Sequence, residues 1–64
     1  MEEHPDYVTV TSGMRGYFAV LMAWDKEFKA YEPWQTSPLS YKDGAGATRD
    51  GKSWAKAEGI EFKE

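Results

Sequence analysis

Between Gly46 and Ser53 the chain reads Gly46-Ala47-Thr48-Arg49-Asp50-Gly51-Lys52-Ser53, which fits the phosphate-cradling pattern G-x-x-x-x-G-K-[ST] at every fixed position. The chemistry behind that pattern is specific: backbone N–H groups at a helix N-terminus and a lysine hold phosphates, while the hydroxyl holds Mg²⁺. It requires a buried apolar strand that delivers the glycine turn to the helix. Ser40-Tyr41-Lys42-Asp43-Gly44-Ala45 stand there instead and read as a loop or helix start, so no nucleotide site and no cofactor are expected. The remaining catalytic inventory is thin. There is no cysteine, hence no disulfide, thiolate metal site or cysteine nucleophile. The single histidine, His4, lies beside Pro5 in an acidic N-terminal stretch and reads as a solvated tail residue. Acidic residues are scattered through the tail, turns and strand ends, and Glu27 with Glu32 reads as hairpin surface rather than an acid–base pair. The expectation is a protein that is not an enzyme and has no metal site.

What remains is binding chemistry, and its position depends on the elements. Tyr7-Val8-Thr9-Val10-Thr11 alternates β-branched and aromatic residues and stops at Ser12-Gly13-Met14-Arg15-Gly16, a strand followed by a hairpin turn. Tyr17 to Trp24 is a continuous apolar run ending at Asp25-Lys26-Glu27 and predicts a second strand. Phe28 to Gln35 predicts a third. Pro33, which lacks an N–H donor, puts that strand at an edge or bulges it. After the loop Thr36-Ser37-Pro38-Leu39-Ser40, the spacing of Ala47, Gly51, Trp54 and Ala55 predicts a helix over about 43–58. Asp43 is its candidate cap, Thr48 an alternative start, and Gly59 its left-handed terminator. Ile60 and Phe62 then alternate with charged residues as a short fourth strand. The order βββαβ predicts an α+β domain over 7–64, a four-stranded mainly antiparallel sheet in spatial order 3-2-1-4 with one packed helix, preceded by a flexible tail over 1–6.

One helix covers one face of a sheet, yet the second strand is apolar on both. Phe18, Val20, Met22 and Trp24 share one face, and Tyr17, Ala19, Leu21 and Ala23 the other. The bulkier set is expected to join Val8, Val10, Trp54, Ile60 and Phe62 in the core, leaving Tyr17 and Leu21 open with Tyr31 nearby. An open sheet face normally carries polar residues, so an apolar one points to an interaction surface or a homodimer seam. Tyr17, Leu21, Tyr31 and Trp34 are therefore the candidate partner-binding residues, aromatic anchors being common at interfaces. A second candidate is the stripe Arg49, Lys52 and Lys56, spaced three and four residues apart, with Tyr41 available to stack on a base. That set would suit a weak nucleic-acid-binding protein with a shallow salt dependence.

The whole-chain numbers weigh on these readings. With 64 residues the chain is one domain near the lower limit for a core without staples. Its net charge of −3 argues against strong nonspecific binding to nucleic acid. No apolar run approaches the roughly 18 residues of a membrane span, and the N-terminal residues lack the basic and apolar stretches of a secretory leader. Location in the cytoplasm without a membrane anchor is the expectation.

The run Thr9-Val10-Thr11-Ser12-Gly13-Met14-Arg15-Gly16-Tyr17-Phe18-Ala19-Val20, then Glu32-Pro33-Trp34-Gln35-Thr36, then Trp54-Ala55 with Glu58-Gly59-Ile60, resembles small uncharacterised accessory proteins encoded by bacteriophages and prophages. The resemblance spans most of the chain, and its motifs are structural, with no site residues to carry over. The helix departs from it, since Gly44, Gly46 and Gly51 stand where alanine and glutamate would be expected. The resemblance implies a context, the bacterial host cytoplasm. It also implies a role, binding and modulating a host protein. Independently of the resemblance, the open apolar face offers a weak homodimer as its alternative use.

Overall fold

The computed structural model describes residues 4–64. Five elements follow in chain order: β1 (Tyr7–Gly13), β2 (Gly16–Asp25), β3 (Ala30–Thr36), α1 (Gly44–Glu58) and β4 (Glu61–Phe62). They form an α+β fold, a four-stranded mixed sheet in the order β3-β2-β1-β4 with one helix. β1 and β2 are antiparallel, as are β2 and β3, while β4 runs parallel to β1 at the far edge.

The turns set this register. Only Met14 and Arg15 stand between the paired residues Gly13 and Gly16, which puts Val8 opposite Leu21, Val10 opposite Ala19 and Thr9 opposite Val20. Gly16 has φ 106, and a Cβ there would lie 2.6 Å from the Tyr41 carbonyl oxygen, so conformation and space both require glycine. That close approach allows Tyr17 and Tyr41 to exchange backbone hydrogen bonds of 2.9 and 2.8 Å, fastening the start of β2 to the loop ahead of α1. At the other end of β2 the Asp25 carboxylate accepts the N–H groups of Glu27 and Phe28, and Lys29 takes the left-handed conformation at φ 53. Phe28 therefore belongs to the turn and is exposed, and β3 starts at Ala30. β3 is an edge strand, as Pro33 predicts. A bulge opposite Leu21 and Met22 leaves Trp34 without a partner in the ladder, because Gln35 pairs with Leu21 and Pro33 with Met22.

α1 begins where Asp43 predicts: its carboxylate accepts the Gly46 N–H at 3.0 Å. It ends at Gly59, whose φ of 72 lets its N–H reach back to the carbonyls of Ala55 and Lys56. The helix buries Ala47, Gly51 and Ala55. Those small residues let it lie close to the sheet, where the core gathers Val8, Ala19, Leu21 and Ala55, with Trp54, Ile60 and Phe62 packed against them. At Gly51 a Cβ would meet the Phe62 ring at 2.7 Å and Ala19 at 3.4 Å, and at Gly46 it would meet the Tyr41 ring at 2.7 Å. The glycines lower helix propensity by about 1 kcal/mol each relative to alanine. In exchange two aromatic rings lie directly against the helix backbone.

This packing reverses the expected assignment of the faces. The helix covers the Ala19 and Leu21 side of β2, and the bulkier side with Phe18, Met22 and Trp24 is the one it leaves uncovered. The physical reason is size matching: a helix face of alanine and glycine approaches a sheet face of valine, alanine and leucine, and bulkier side chains would hold the two layers apart.

Candidate functional site

Cross-strand partners share a face, so the register defines the side of the sheet that α1 leaves bare. It carries Tyr7, Thr9 and Thr11 from β1, Phe18, Val20, Met22 and Trp24 from β2, and Tyr31 from β3. Val20, flanked by Thr9 and Thr36, is only 4% exposed and forms a packed floor in the middle. Around it the larger side chains are half-buried. Tyr31 meets Tyr7 edge-on at 4.8 Å between ring centroids and Trp24 at 5.1 Å. The imidazole of His4 lies flat on the Trp24 indole, with centroids 3.6 Å apart and planes 7° from parallel. The Tyr31 hydroxyl donates to the Pro5 carbonyl at 3.0 Å. Residues 4 and 5 are thus held against this face. His4 is a stacked side chain rather than the solvated one expected, and residues 1–3 of the expected tail lie outside the described residues.

Two cations bracket the patch. The Arg15 guanidinium sits 4.1 Å from the Phe18 ring centroid and donates to the Ser37 carbonyl at 2.6 Å. At the far end the Lys63 ammonium lies 4.9 Å from the Tyr7 ring centroid. Positive charge over aromatic faces is favourable by about 0.5–1 kcal/mol at exposed sites, so both side chains have a physical reason to stay at the rim. The arrangement is an aromatic and methionine surface with cationic ends and a hydroxyl-bearing β1 row. It offers contact area and stacking.

The four residues expected to bind a partner are dispersed. Leu21 is 7% exposed and lies in the core under α1, so it cannot be part of an open surface. Tyr17 is 40% exposed but lies on the helix side of the sheet, beside Gly44. Tyr31 alone lies on the bare face. Trp34 projects from the bulge at 72% exposure. Tyr7, Phe18, Met22, Trp24 and His4 were missed as members of the surface.

Arg49, Lys52 and Lys56 are all exposed along α1, as the spacing predicts. Tyr41 does not join them, because its ring is packed on Gly46. The phosphate-binding pattern from Gly46 to Ser53 falls inside α1 rather than at a strand–turn–helix junction. Its backbone N–H groups are accordingly part of a helix body, which is the geometric reason it does not form a cradle. Among the described residues no His, Cys, Asp and Glu cluster suits a metal ion, and no helix is long and apolar enough to cross a membrane.

No protein-family model, curated protein or solved structure matches this chain.

Proposed function

We propose that this protein is a non-enzymatic binding module that docks another protein on the bare face of its sheet, through Tyr7, Phe18, Met22, Trp24 and Tyr31. The observation that supports it is the disposition of β2: the helix takes the small-residue side, and among the described residues no helix or strand lies over the half-buried bulky side, where His4 stacks on Trp24. Large aromatics and methionine are the residue types that carry interface energy, and an open antiparallel face without a partner would ordinarily alternate to polar residues. The resemblance to phage accessory proteins suggests the kind of partner, a bacterial host protein whose activity is modulated by the contact, in the host cytoplasm. Cations at both rims favour a partner surface with apolar centre and acidic margins.

The test is affinity capture from a bacterial lysate with three baits. They are the wild-type protein, the paired variant Met22→Thr with Tyr31→Ala, and Arg49→Glu with Lys56→Glu as a control on the helix. Circular dichroism confirms that each bait is folded. A protein retained by the wild type and by the helix variant, and lost with the bare-face pair, is the expected result. Retention by the bare-face pair, loss with the helix variant, or nothing held beyond blank resin overturns the reading.

A further inference from the structure

On the helix side, at the outer edge of the sheet, Ser37, Pro38, Leu39, Asp50 and Trp54 line a cleft of about 550 Å³. That volume lies within the roughly 300–1,000 Å³ of ligand pockets, and apolar walls with few polar groups are their usual make-up. The charged group here is the Asp50 carboxylate. Ser37, 6% exposed, fixes it: its hydroxyl donates to Asp50 Oδ2 at 2.8 Å and accepts the Leu39 N–H at 3.2 Å. The serine backbone is equally committed, its N–H to the Ala19 carbonyl at 2.9 Å and its carbonyl to Arg15 at 2.6 Å. Ser37 is thus a fully hydrogen-bonded post that holds one carboxylate oxygen in place. The carboxylate has capacity for several more donors. Among the described residues no cation pairs with it.

We propose that this cleft receives the guanidinium of an arginine carried on an extended segment of a partner protein, the segment pairing with the outer edge of β3. Two features select that occupant. A planar guanidinium can fork onto a carboxylate while lying on an indole face, and Asp50 and Trp54 line the same cleft. The cleft is also continuous with a free strand edge: Gln35 and Thr36 line it and form the end of β3, whose outer side has no neighbour in the sheet. Pro33 and the bulge at Trp34 confine added pairing to this end, next to the cleft. The site lies on the opposite side of the sheet from the aromatic face and goes beyond the docking role proposed there, so either can fail without the other.

The experiment is an NMR titration of the ¹⁵N-labelled protein with the blocked peptide acetyl-Val-Arg-Val-amide, and with its counterpart carrying citrulline, which keeps the shape of arginine and removes the charge. Both are run against the wild type and Asp50→Asn. The asparagine carbonyl can still accept the Ser37 hydroxyl, so the variant should fold, and the peptide comparison remains decisive if it does not. The arginine peptide is expected to move the Trp54 indole N–H and the Gln35 and Leu39 amides saturably. Citrulline or Asp50→Asn should weaken that binding about tenfold or more, the scale of one charge-assisted hydrogen-bonded pair. Equal binding of the two peptides, shifts confined to Trp24 and Tyr31, or no saturable shift at millimolar peptide overturns the proposal.

Discussion

Leu21 and Met22 are chain neighbours with opposite environments. Leu21 is 7% exposed among Val8, Ala19 and Ala55, whereas Met22 stands between Tyr7 and Pro33 on the side away from the helix. Among the described residues the buried hydrophobic set is Val8, Ala19, Val20, Leu21, Ala47 and Ala55, half of it alanine, so Leu21 is the largest apolar side chain in a small core. Leu21→Ala is expected to cost about 2–5 kcal/mol, as truncating a buried leucine does, which is a large part of what a domain this size has. Trp34→Ala, at 72% exposure, should stay within about 0.5 kcal/mol. Urea midpoints of the two variants decide it, and a Trp34 loss equal to that of Leu21 would contradict the buried and exposed positions assigned to them. Because Leu21→Ala threatens folding itself, any loss of binding in that variant reports on stability and not on a contact.

The elements were legible in the sequence to within a few residues, and their arrangement as well. Alternation in Tyr7–Thr11, the apolar run to Trp24, Pro33 as an edge marker, Asp43 as cap and Gly59 as terminator each carry a local physical rule, and the structure follows each one. The choice of face was not read correctly, although the information lay in the turn. A loop of Met14 and Arg15 alone pairs Gly13 with Gly16 and so sets Val8 and Val10 beside Leu21 and Ala19, the same set that faces the helix. The bulk of Phe18, Met22 and Trp24 points to the opposite face, and register overrides it. His4 on Trp24 had no such signal, because a stacking contact between a terminal residue and a strand end depends on tertiary placement. The helix glycines offer a test of the close packing. A Cβ at Gly44 finds ordinary contact at 3.9 Å from Tyr17, while at Gly46 it meets three Tyr41 atoms between 2.7 and 3.2 Å. Gly46→Ala is therefore expected to lower stability by about 1–2 kcal/mol, overpacking outweighing the gain in helix propensity. Gly44→Ala should be neutral or slightly stabilising. Thermal unfolding separates them, and a stabilised Gly46→Ala would mean that Tyr41 does not rest on the helix.

The molecule measures 39 × 24 × 17 Å, and a helix of 15 residues spans about 22 Å at 1.5 Å per residue. One such helix can shield only one side of the sheet, and the aromatic side must meet water, its own N-terminal residues or a partner. Self-association would use the same surface, and any occupant, a second copy or a foreign protein, has to displace or cover His4 on Trp24 and Pro5 at Tyr31. Sedimentation velocity across a tenfold dilution tells the two apart: the docking role predicts a constant monomer mass, and a mass that rises with concentration would assign the face to a homodimer. For the docking role itself the decisive experiment is a chemical-shift map of the ¹⁵N-labelled protein on adding the purified partner obtained by capture. The largest changes are expected at the Thr9, Val20 and Met22 amides and the Trp24 indole N–H, with Arg49, Lys52 and Lys56 unmoved. A map centred on α1 with Met22 and Trp24 unchanged would refute the assignment of the bare face as the docking surface.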